Sequence, residues 1–367
     1  MDGRRPAVAS PSSHSVAAVA PTFPPPRTAP PASLVRDGAY ELGTYDGPIP
    51  VVNPTDAGPE TGLGRVRRSM GLKEWEAFQL GDDDWLVLGA VYNAKAVGLL
   101  QVLAVNKHDA TITRWERKVP SPTLTVARGL SGTRSYGRAG GFSVSLTNDL
   151  ADGRLLVDAT HPGDRRRPAL ELHGTGSCGP DDAGHLVIVH PFGDTTALYS
   201  HKAMMSFDGT LRIGRDQVGL DPGRGFLILD DHHGDYPRPM QYDWLTGVRR
   251  SPTGVVEGFN LTRNQVRDPD TFNENALWIG NQVHRLPAIT IDRPDGPHGP
   301  WHAHDVDGAV DVRFTPTVRS EMHVGPRHLL AEYYAPYGWF EGRIEAEVAS
   351  LDVDGIFGVG EQKRITF

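Results

Sequence analysis

The sequence predicts an all-β protein built from antiparallel sandwiches or barrels. Short runs of β-branched and apolar residues recur between turn signals, and almost no segment has a sustained helical period. The 367 residues include 42 glycines and 30 prolines, well above ordinary usage, which indicates many turns and therefore many short elements. Two barrels would use about 300 residues, close to the length of the predicted folded part.

The predicted strands follow one another along the whole folded part. In the first half they are DWLVLGAVY, GLLQVLAV, ATITRWERKV, TLTVARGL, FSVSLTND, RLLVDAT, HLVIVHPF and TLRIG. In the second half they are FLILD, GVVEGFNLT, NALWIG, HRLPAITI, AVDVRFTPT, LLAEYYAPY, WFEGRIEAEV and IFGVGEQKRI. Four dipeptides between these runs are typical of hairpin turns, namely Asp152-Gly153, Asp208-Gly209, Gly280-Asn281 and Asp307-Gly308.

The chain is expected to have three parts, of which composition distinguishes the first. We expect residues 1–33, rich in Pro, Ala and Ser, to form a disordered tail, residues 34–205 to form an N-terminal barrel, and residues 206–367 to form a C-terminal barrel. The net charge of −8 argues against nucleic-acid binding, which needs a basic face. No apolar run reaches the roughly 18 residues of a membrane span, and VAAVA is too short for a signal core, so we expect a cytoplasmic protein. The single cysteine, Cys178, excludes an intrachain disulfide bond.

The segment LDDHHGDYPRPMQYDW carries an unusual density of ionisable residues directly after an apolar strand. On an extended strand Asp231 and His233 share one face, and Asp230 and His232 share the other. An aspartate beside a histidine can orient a general acid–base, because the carboxylate fixes the imidazole tautomer. We therefore predict Asp231 and His233 as the catalytic pair, with orienting and binding groups supplied by Tyr236, Asp243, His232, Arg238 and Tyr242. The alternative is a polar strand end with a solvated rim.

Further polar residues would bind the ligand at a strand mouth. Glu257 and Asn260 lie on or near one strand, and Glu274 and Asn275 precede the next. These groups suit hydrogen bonding to a ligand, although asparagines also serve loop geometry. Lys202 could pair with a carboxylate of the acidic segment or remain a solvated edge charge. Glu361, after an apolar glycine-rich run, could point into a barrel or lie at an exposed chain end.

Six blocks of the chain, in order, resemble an uncharacterised bacterial family, domain of unknown function 2804. They are RVRRSMGLKEWEAFQLGDDDWLVLGAVYNAKAVGLLQ, YSHKAMMSFDGTLRIG, GFLILDDHHGDYPRPMQYDWLTG, GFNLTRNQVRDPDTFNENALWIGNQVHRLPAI, VDVRFTPTVRSEMHVG and YYAPYGWFEGRIE…GIFGVGEQK. That family is distantly similar to tandem lipocalin-like proteins such as the carotenoid 1,2-hydratases. The resemblance implies two calycin-type antiparallel barrels packed side by side, with cofactor-free acid–base chemistry on apolar substrates within or between them.

Three functions remain open from the sequence. The first is a cofactor-free, metal-free lyase or isomerase acting on an apolar small molecule, and the second is a non-catalytic lipocalin-like carrier. The third is a non-haem iron oxygenase that uses 2-oxoglutarate, because His233, Asp235, His284 and Arg293 approximate the spacing of a 2-His-1-carboxylate triad with an oxo-acid-binding arginine. The sequence leaves the substrate and the oligomeric state undetermined.

Overall fold

The computed structural model describes residues 22–58, 62–95, 97–177, 184–220, 223–324 and 331–366, and Cys178 lies outside them. The strands of the first half are β1 Val35–Arg36, β2 Ala39–Tyr40, β3 Gly43–Tyr45, β4 Lys73–Gly81, β5 Trp85–Asn93, β6 Val97–Asn106, β7 Thr111–Pro120, β8 Leu124–Thr125, β9 Ser131–Ala139, β10 Phe142–Asp149, β11 Arg154–His161, β12 Leu170–Ser177, β13 Gly184–Pro191, β14 Ala197–Ile213, β15 Asp216–Leu220 and β16 Phe226–Gly234.

The strands of the second half are β17 Met240–Arg250, β18 Val256–Arg263, β19 Ala276–Ile279, β20 Gln282–Arg285, β21 Thr290–Asp292, β22 Trp301–His304, β23 Val310–Val318, β24 Glu321–Val324, β25 Ala331–Tyr334, β26 Tyr337–Glu345, β27 Ser350–Asp352 and β28 Phe357–Ile365. The helices of the described residues are α1 Gly62–Gly71, which buries no side chain, and the short α2 Pro269–Phe272. No helix of this part of the chain is long and apolar enough to cross a membrane.

Two curled antiparallel sheets form the two predicted barrels, which confirms the all-β fold class. The first sheet runs in the order β7-β6-β5-β4-β16-β14-β12-β11-β10-β9-β8, and the second in the order β20-β19-β18-β17-β28-β26-β23-β22-β21. One apolar core fills the inside of the first barrel, including Phe78, Trp115 and Phe142. Another, including Phe259 and Phe314, fills the second barrel. A third core, which includes Ile228, Trp244 and Trp278, lies between the two sheets.

The central strands of the first sheet are buried on both faces. On β4, Phe78 and Leu80 face the core of the first barrel, while Trp75 faces the second sheet. On β16, Leu227 and Leu229 face the first barrel, and Ile228 packs between the sheets. This alternation is the ordinary two-residue period of a strand. Because β16 is covered on both sides, the polar residues that follow its apolar half are also buried, apart from Asp230, which is half-buried.

From the strand pairing we propose a boundary between the barrels that lies later in the chain than the predicted one. The predicted boundary at 205/206 falls inside β14, a continuous strand, and β16 also pairs within the first sheet. The second sheet begins with β17, so the pairing favours a boundary after Gly234. The predicted hairpin turn at Asp208-Gly209 is wrong for the same reason, because Asp208 and Gly209 pair with Thr175 and Gly174 inside β14. The other three predicted turns do connect consecutive strands.

Part of the predicted N-terminal tail packs onto the folded chain. Residues 1–21 lie outside the described residues, but Thr28 donates its N–H to Thr44 O (3.0 Å). Arg27 donates to the carbonyl oxygens of His185, on β13, and Val283, on β20. These strands belong to different sheets, so Arg27 bridges the barrels.

Arg27→Ala is therefore expected to lower the free energy of unfolding by about 1–2 kcal/mol, since hydrogen bonds made by a charged donor contribute on this scale. The measurement is urea unfolding at equilibrium. Arg36→Ala, which removes an exposed ion pair with Glu41, is the control and should cost less than about 0.5 kcal/mol. An equal effect of the two substitutions would contradict the bridging role of Arg27.

Candidate active site

A cavity of about 530 Å³ lies between the two sheets. The first sheet lines it with residues of β4 to β7, β14 and β16, and the second sheet with residues of β17, β25 and β28. Its walls are mostly apolar and aromatic, and include Trp75, Leu88, Ala90, Leu99, Ile228 and Trp244. A few charged groups converge on it, an arrangement typical of ligand sites.

Asp230 and His232 face this cavity from β16. His232 Nε2 lies 2.9 Å from Asp230 Oδ1 and 3.1 Å from Ser200 Oγ. Asp230 Oδ2 accepts a hydrogen bond of 3.1 Å from Trp75 Nε1, and the Trp75 ring stacks on the imidazole with centroids 4.4 Å apart. The Tyr236 hydroxyl lies 3.5 Å from His232 Nδ1. The imidazole is therefore fixed by an aspartate at one nitrogen and reaches a tyrosine at the other.

Lys202 and Glu274 complete the charge balance around this pair. The Lys202 ammonium donates a hydrogen bond to Asp230 and lies 3.8 Å from Glu274 Oε2. The same Glu274 oxygen accepts a hydrogen bond of 2.7 Å from Ser200 Oγ. Burial alone would raise the pKa of Asp230, but His232 and Lys202 outweigh it and hold that pKa well below its usual range. The pKa of Glu274 is lowered in the same way, mainly by Lys202.

A second carboxyl group faces the cavity from the other sheet. Glu361 on β28 accepts hydrogen bonds from Tyr242 (3.1 Å) and Tyr333 (2.5 Å). Burial raises the pKa of Glu361 above its ordinary value, despite the nearby Lys363 and the two tyrosine donors. The cavity thus holds two carboxyl groups whose pKa values are displaced in opposite directions, Asp230 downward and Glu361 upward.

Asp231 and His233, predicted as the catalytic pair, lie on the opposite face of β16. They contact each other, with His233 Nε2 2.9 Å from Asp231 Oδ1, and both are fully buried. Their neighbours are Glu74 and Glu76 on β4, inside the first barrel. Neither Asp231 nor His233 lines the cavity between the sheets. The predicted alternation along the strand is present, but the cavity-facing pair is Asp230 and His232.

The other predicted site residues divide between the cavity and its surroundings. Lys202, His232, Tyr236, Tyr242 and Glu274 line the cavity. Asn260 lies behind it and accepts a hydrogen bond from Trp244 Nε1 (2.5 Å). The remaining residues are elsewhere: Asp243 pairs with Arg293 (2.9 Å), Glu257 pairs with Arg249 (3.2 Å), Asn275 binds the backbone of Thr262 and Pro287, and Arg238 is exposed.

The structure does not assemble the triad of the iron oxygenase hypothesis. Asp235 pairs with Arg68 (2.9 Å), while His284 belongs to β20 of the second sheet. Among the described residues, the group whose ligand atoms converge enough to hold a metal ion is Asp292, His302 and His304, on the neighbouring strands β21 and β22. These side chains are partly exposed on the second barrel and do not line the cavity.

Trp75, Tyr333 and Lys363 are cavity residues that the sequence did not single out. Each of them lies on a strand whose side chains point alternately to its two faces. Its direction can be assigned only once it is known which face of that strand meets the other barrel. The run IFGVGEQKRI shows this alternation, because Glu361 and Lys363 are two residues apart and therefore share one face of the strand. That spacing alone could have placed both side chains on the same surface.

Comparison with known proteins supplies a family and a structural neighbour. A family model described as a domain of unknown function, DUF2804, matches residues 28–367. Among solved structures, the chain is similar to kievitone hydratase from Nectria haematococca at 12% sequence identity. This similarity covers 80% of this chain and 88% of the hydratase chain, with a TM-score of 0.47. No curated protein matches the sequence.

Proposed function

The chain belongs to the DUF2804 family, as its sequence blocks predicted, and from its cavity we infer that it is a cofactor-free lyase or isomerase. The substrate is an apolar small molecule bound between the two barrels. The chemistry is acid–base, of the kind that adds water to a double bond, removes it, or moves a double bond. The supporting observation is the oriented Asp230–His232 pair at the wall of an otherwise apolar cavity.

His232 is the proposed proton acceptor. Asp230 holds Nε2, and the Trp75 ring fixes the plane of the imidazole by stacking. An imidazole held in this way keeps one tautomer and can take a proton without moving. Tyr236, 3.5 Å from Nδ1, is placed to relay that proton from a water or from a substrate carbon. The carboxylate of Asp230 then stabilises the imidazolium that results.

Glu361 is the proposed proton donor. Its raised pKa keeps a proton on the carboxyl group at a pH where an ordinary glutamate is ionised. In a hydration, His232 would accept the proton of the attacking water while Glu361 gives its proton to the other carbon of the double bond. Environments that displace the pKa values of two carboxyl groups in opposite directions are typical of acid and base assignments in one site.

Deuterium exchange distinguishes this enzyme from a carrier. The protein would be incubated in D₂O with a library of apolar unsaturated compounds, and the recovered compounds analysed by mass spectrometry. We expect solvent deuterium in at least one compound, lost in His232→Gln and retained in His233→Gln. Compounds that bind tightly and never gain deuterium would support the second candidate, a lipocalin-like carrier. The observation that favours a carrier is that Lys202, Asp230 and Glu274 already pair with one another.

The pH dependence of turnover should report the state of Glu361. Because the protonated form is the donor, kcat/KM is expected to fall as pH rises through the raised pKa of Glu361. Glu361→Gln should remove this alkaline limb along with most of the activity, while Glu257→Gln, outside the cavity, should leave the profile unchanged. An alkaline limb that persists in Glu361→Gln would assign the titration to another group.

A further inference from the structure

Lys363 presents an ammonium group to the cavity with aromatic rings as its neighbours. Its Nζ lies 5.4 Å from the ring centroid of Tyr333, 5.5 Å from those of Tyr92 and Tyr242, and 5.8 Å from that of Trp75. Tyr242 and Tyr333 are its cross-strand neighbours on β17 and β25. Within the described residues, no hydrogen bond or ion pair engages this ammonium.

The second lysine of the cavity has the opposite environment. The Lys202 ammonium donates to Asp230 and lies close to Glu274, so it already has its counterions. Lys363 has Glu361 two residues away on the same strand face, but both oxygens of Glu361 are engaged by Tyr242 and Tyr333. The other charged groups that act on Lys363 are Lys73 from β4 and Asp230 from β16. Burial lowers the pKa of Lys363, which reflects the cost of an ammonium at this position.

An anionic ligand would remove this cost. A negative oxygen within about 4–6 Å favours the charged lysine, and an aromatic surround accepts the flat apolar body that carries the oxygen. The cavity is large enough for such a molecule, at about 530 Å³. We propose that Lys363 is the anion-binding group of this cavity and that the ligand is an apolar, ring-containing molecule with one acidic oxygen, a phenolate, enolate or carboxylate.

This inference deepens the proposed function by naming the substrate class and the group that receives its charge. In a lyase or isomerase, an oxygen conjugated to the reacting double bond gains negative charge as a proton leaves carbon. A fixed ammonium in a mostly apolar cavity stabilises that charge more in the transition state than in the ground state. Lys363 would therefore act by binding the oxygen, while proton transfer remains with His232 and Glu361.

Binding of 4-nitrophenol tests the inference without any turnover, since its phenol and phenolate forms absorb at different wavelengths. We expect the wild-type protein to bind the phenolate, with the apparent pKa of the bound probe at least about one unit below that of the free probe. Lys363→Gln should abolish this shift and weaken phenolate binding by about tenfold. Lys363→Arg should retain the shift, and Lys118→Gln, at an exposed position of the cavity rim, should behave as wild type.

Three results would overturn the assignment of Lys363. They are an unshifted pKa of the bound probe, an equal shift in folded Lys363→Gln, and binding of neutral 4-nitroanisole as tight as that of the phenolate. Failure of the probe to bind at all counts against it equally. These outcomes are independent of the acid–base proposal, because Asp230→Asn should reduce turnover by about a hundredfold or more and leave the ionisation shift of the probe largely intact.

Discussion

Asp230→Asn is expected to reduce turnover by about a hundredfold or more, the scale typical of general acid–base catalysis. The substitution keeps the size of the side chain and its hydrogen bond from Trp75, but it removes the charge that orients and stabilises the His232 imidazole. The effect should appear mainly in kcat, because the carboxylate acts on the transition state more than on the bound substrate. The measurement is steady-state kinetics with the first compound that exchanges deuterium.

Asp231→Asn is the matched control for this prediction. The two aspartates are adjacent in the chain, both contact a histidine two residues on, and they point to opposite faces of β16. If the cavity face carries the chemistry, Asp231→Asn should retain turnover within a few-fold of wild type. A large loss in Asp231→Asn with little loss in Asp230→Asn would return the catalytic pair to Asp231 and His233, the sequence prediction.

Glu76→Gln is expected to stabilise the protein at alkaline pH. Burial, with the nearby Asp231, raises the pKa of Glu76 to about 8. Glu76 lies opposite Asp231 across β4 and β16, and its Oε1 lacks a hydrogen-bond partner among the described residues, so no donor stabilises a charge on that oxygen. The folded protein retains the carboxyl proton where the unfolded chain has lost it. Stability should therefore fall as pH rises from the ordinary glutamate range to about 8, and remain level above that.

A glutamine at position 76 is neutral at every pH and should remove this decline. Its unfolding free energy should exceed that of wild type by about 5 kcal/mol at about pH 9 and be close to it at about pH 5, since the Glu76 pKa rises from 4.5 to about 8 and each pKa unit corresponds to about 1.4 kcal/mol. Urea unfolding across this range is the measurement. A wild-type protein with no alkaline decline attributable to residue 76 would mean that Glu76 is ionised in the folded state.

Glu74→Gln, two residues earlier on the same face of β4, should have the opposite sign. Glu74 pairs with Lys95 and with Arg128 Nη2 at 3.0 Å. Removing its charge leaves the largely buried Lys95 and the exposed Arg128 without their partner, and we expect a loss of about 2 kcal/mol at neutral pH, mostly from Lys95. The contrast between positions 74 and 76 separates a protonated buried carboxyl group from an ionised one.

The fold followed from the sequence because strand signals are local. Short β-branched runs, glycine turn pairs and the absence of a helical period fixed the class, and the resemblance to family 2804 indicated two barrels. Asp208-Gly209 shows the limit of local signals. The same dipeptide makes a turn or continues a strand, and the outcome depends on Gly174, a partner 35 residues away in the chain (209 − 174) that packs against Gly209.

The sequence indicated the segment that contributes to the candidate site, but it favoured the face of β16 that points away from the cavity. Alternation along β16 separates Asp230 and His232 from Asp231 and His233, but it does not say which face meets a cavity when both faces are buried. That distinction needs the second sheet, which brings Tyr242, Tyr333 and Glu361 opposite β16. Contacts between residues so distant in the chain leave no local pattern in one sequence.

The central claim is that the substrate binds between the two sheets. A crystal structure of the protein with the first ligand identified by deuterium exchange tests it most directly. The account predicts ligand density between the two sheets, with its ring beside Trp75, a reacting carbon within reach of His232 or Tyr236, and an acidic oxygen at Lys363. Density inside the first barrel beside Glu76 and Asp231, or in the second barrel, would contradict it.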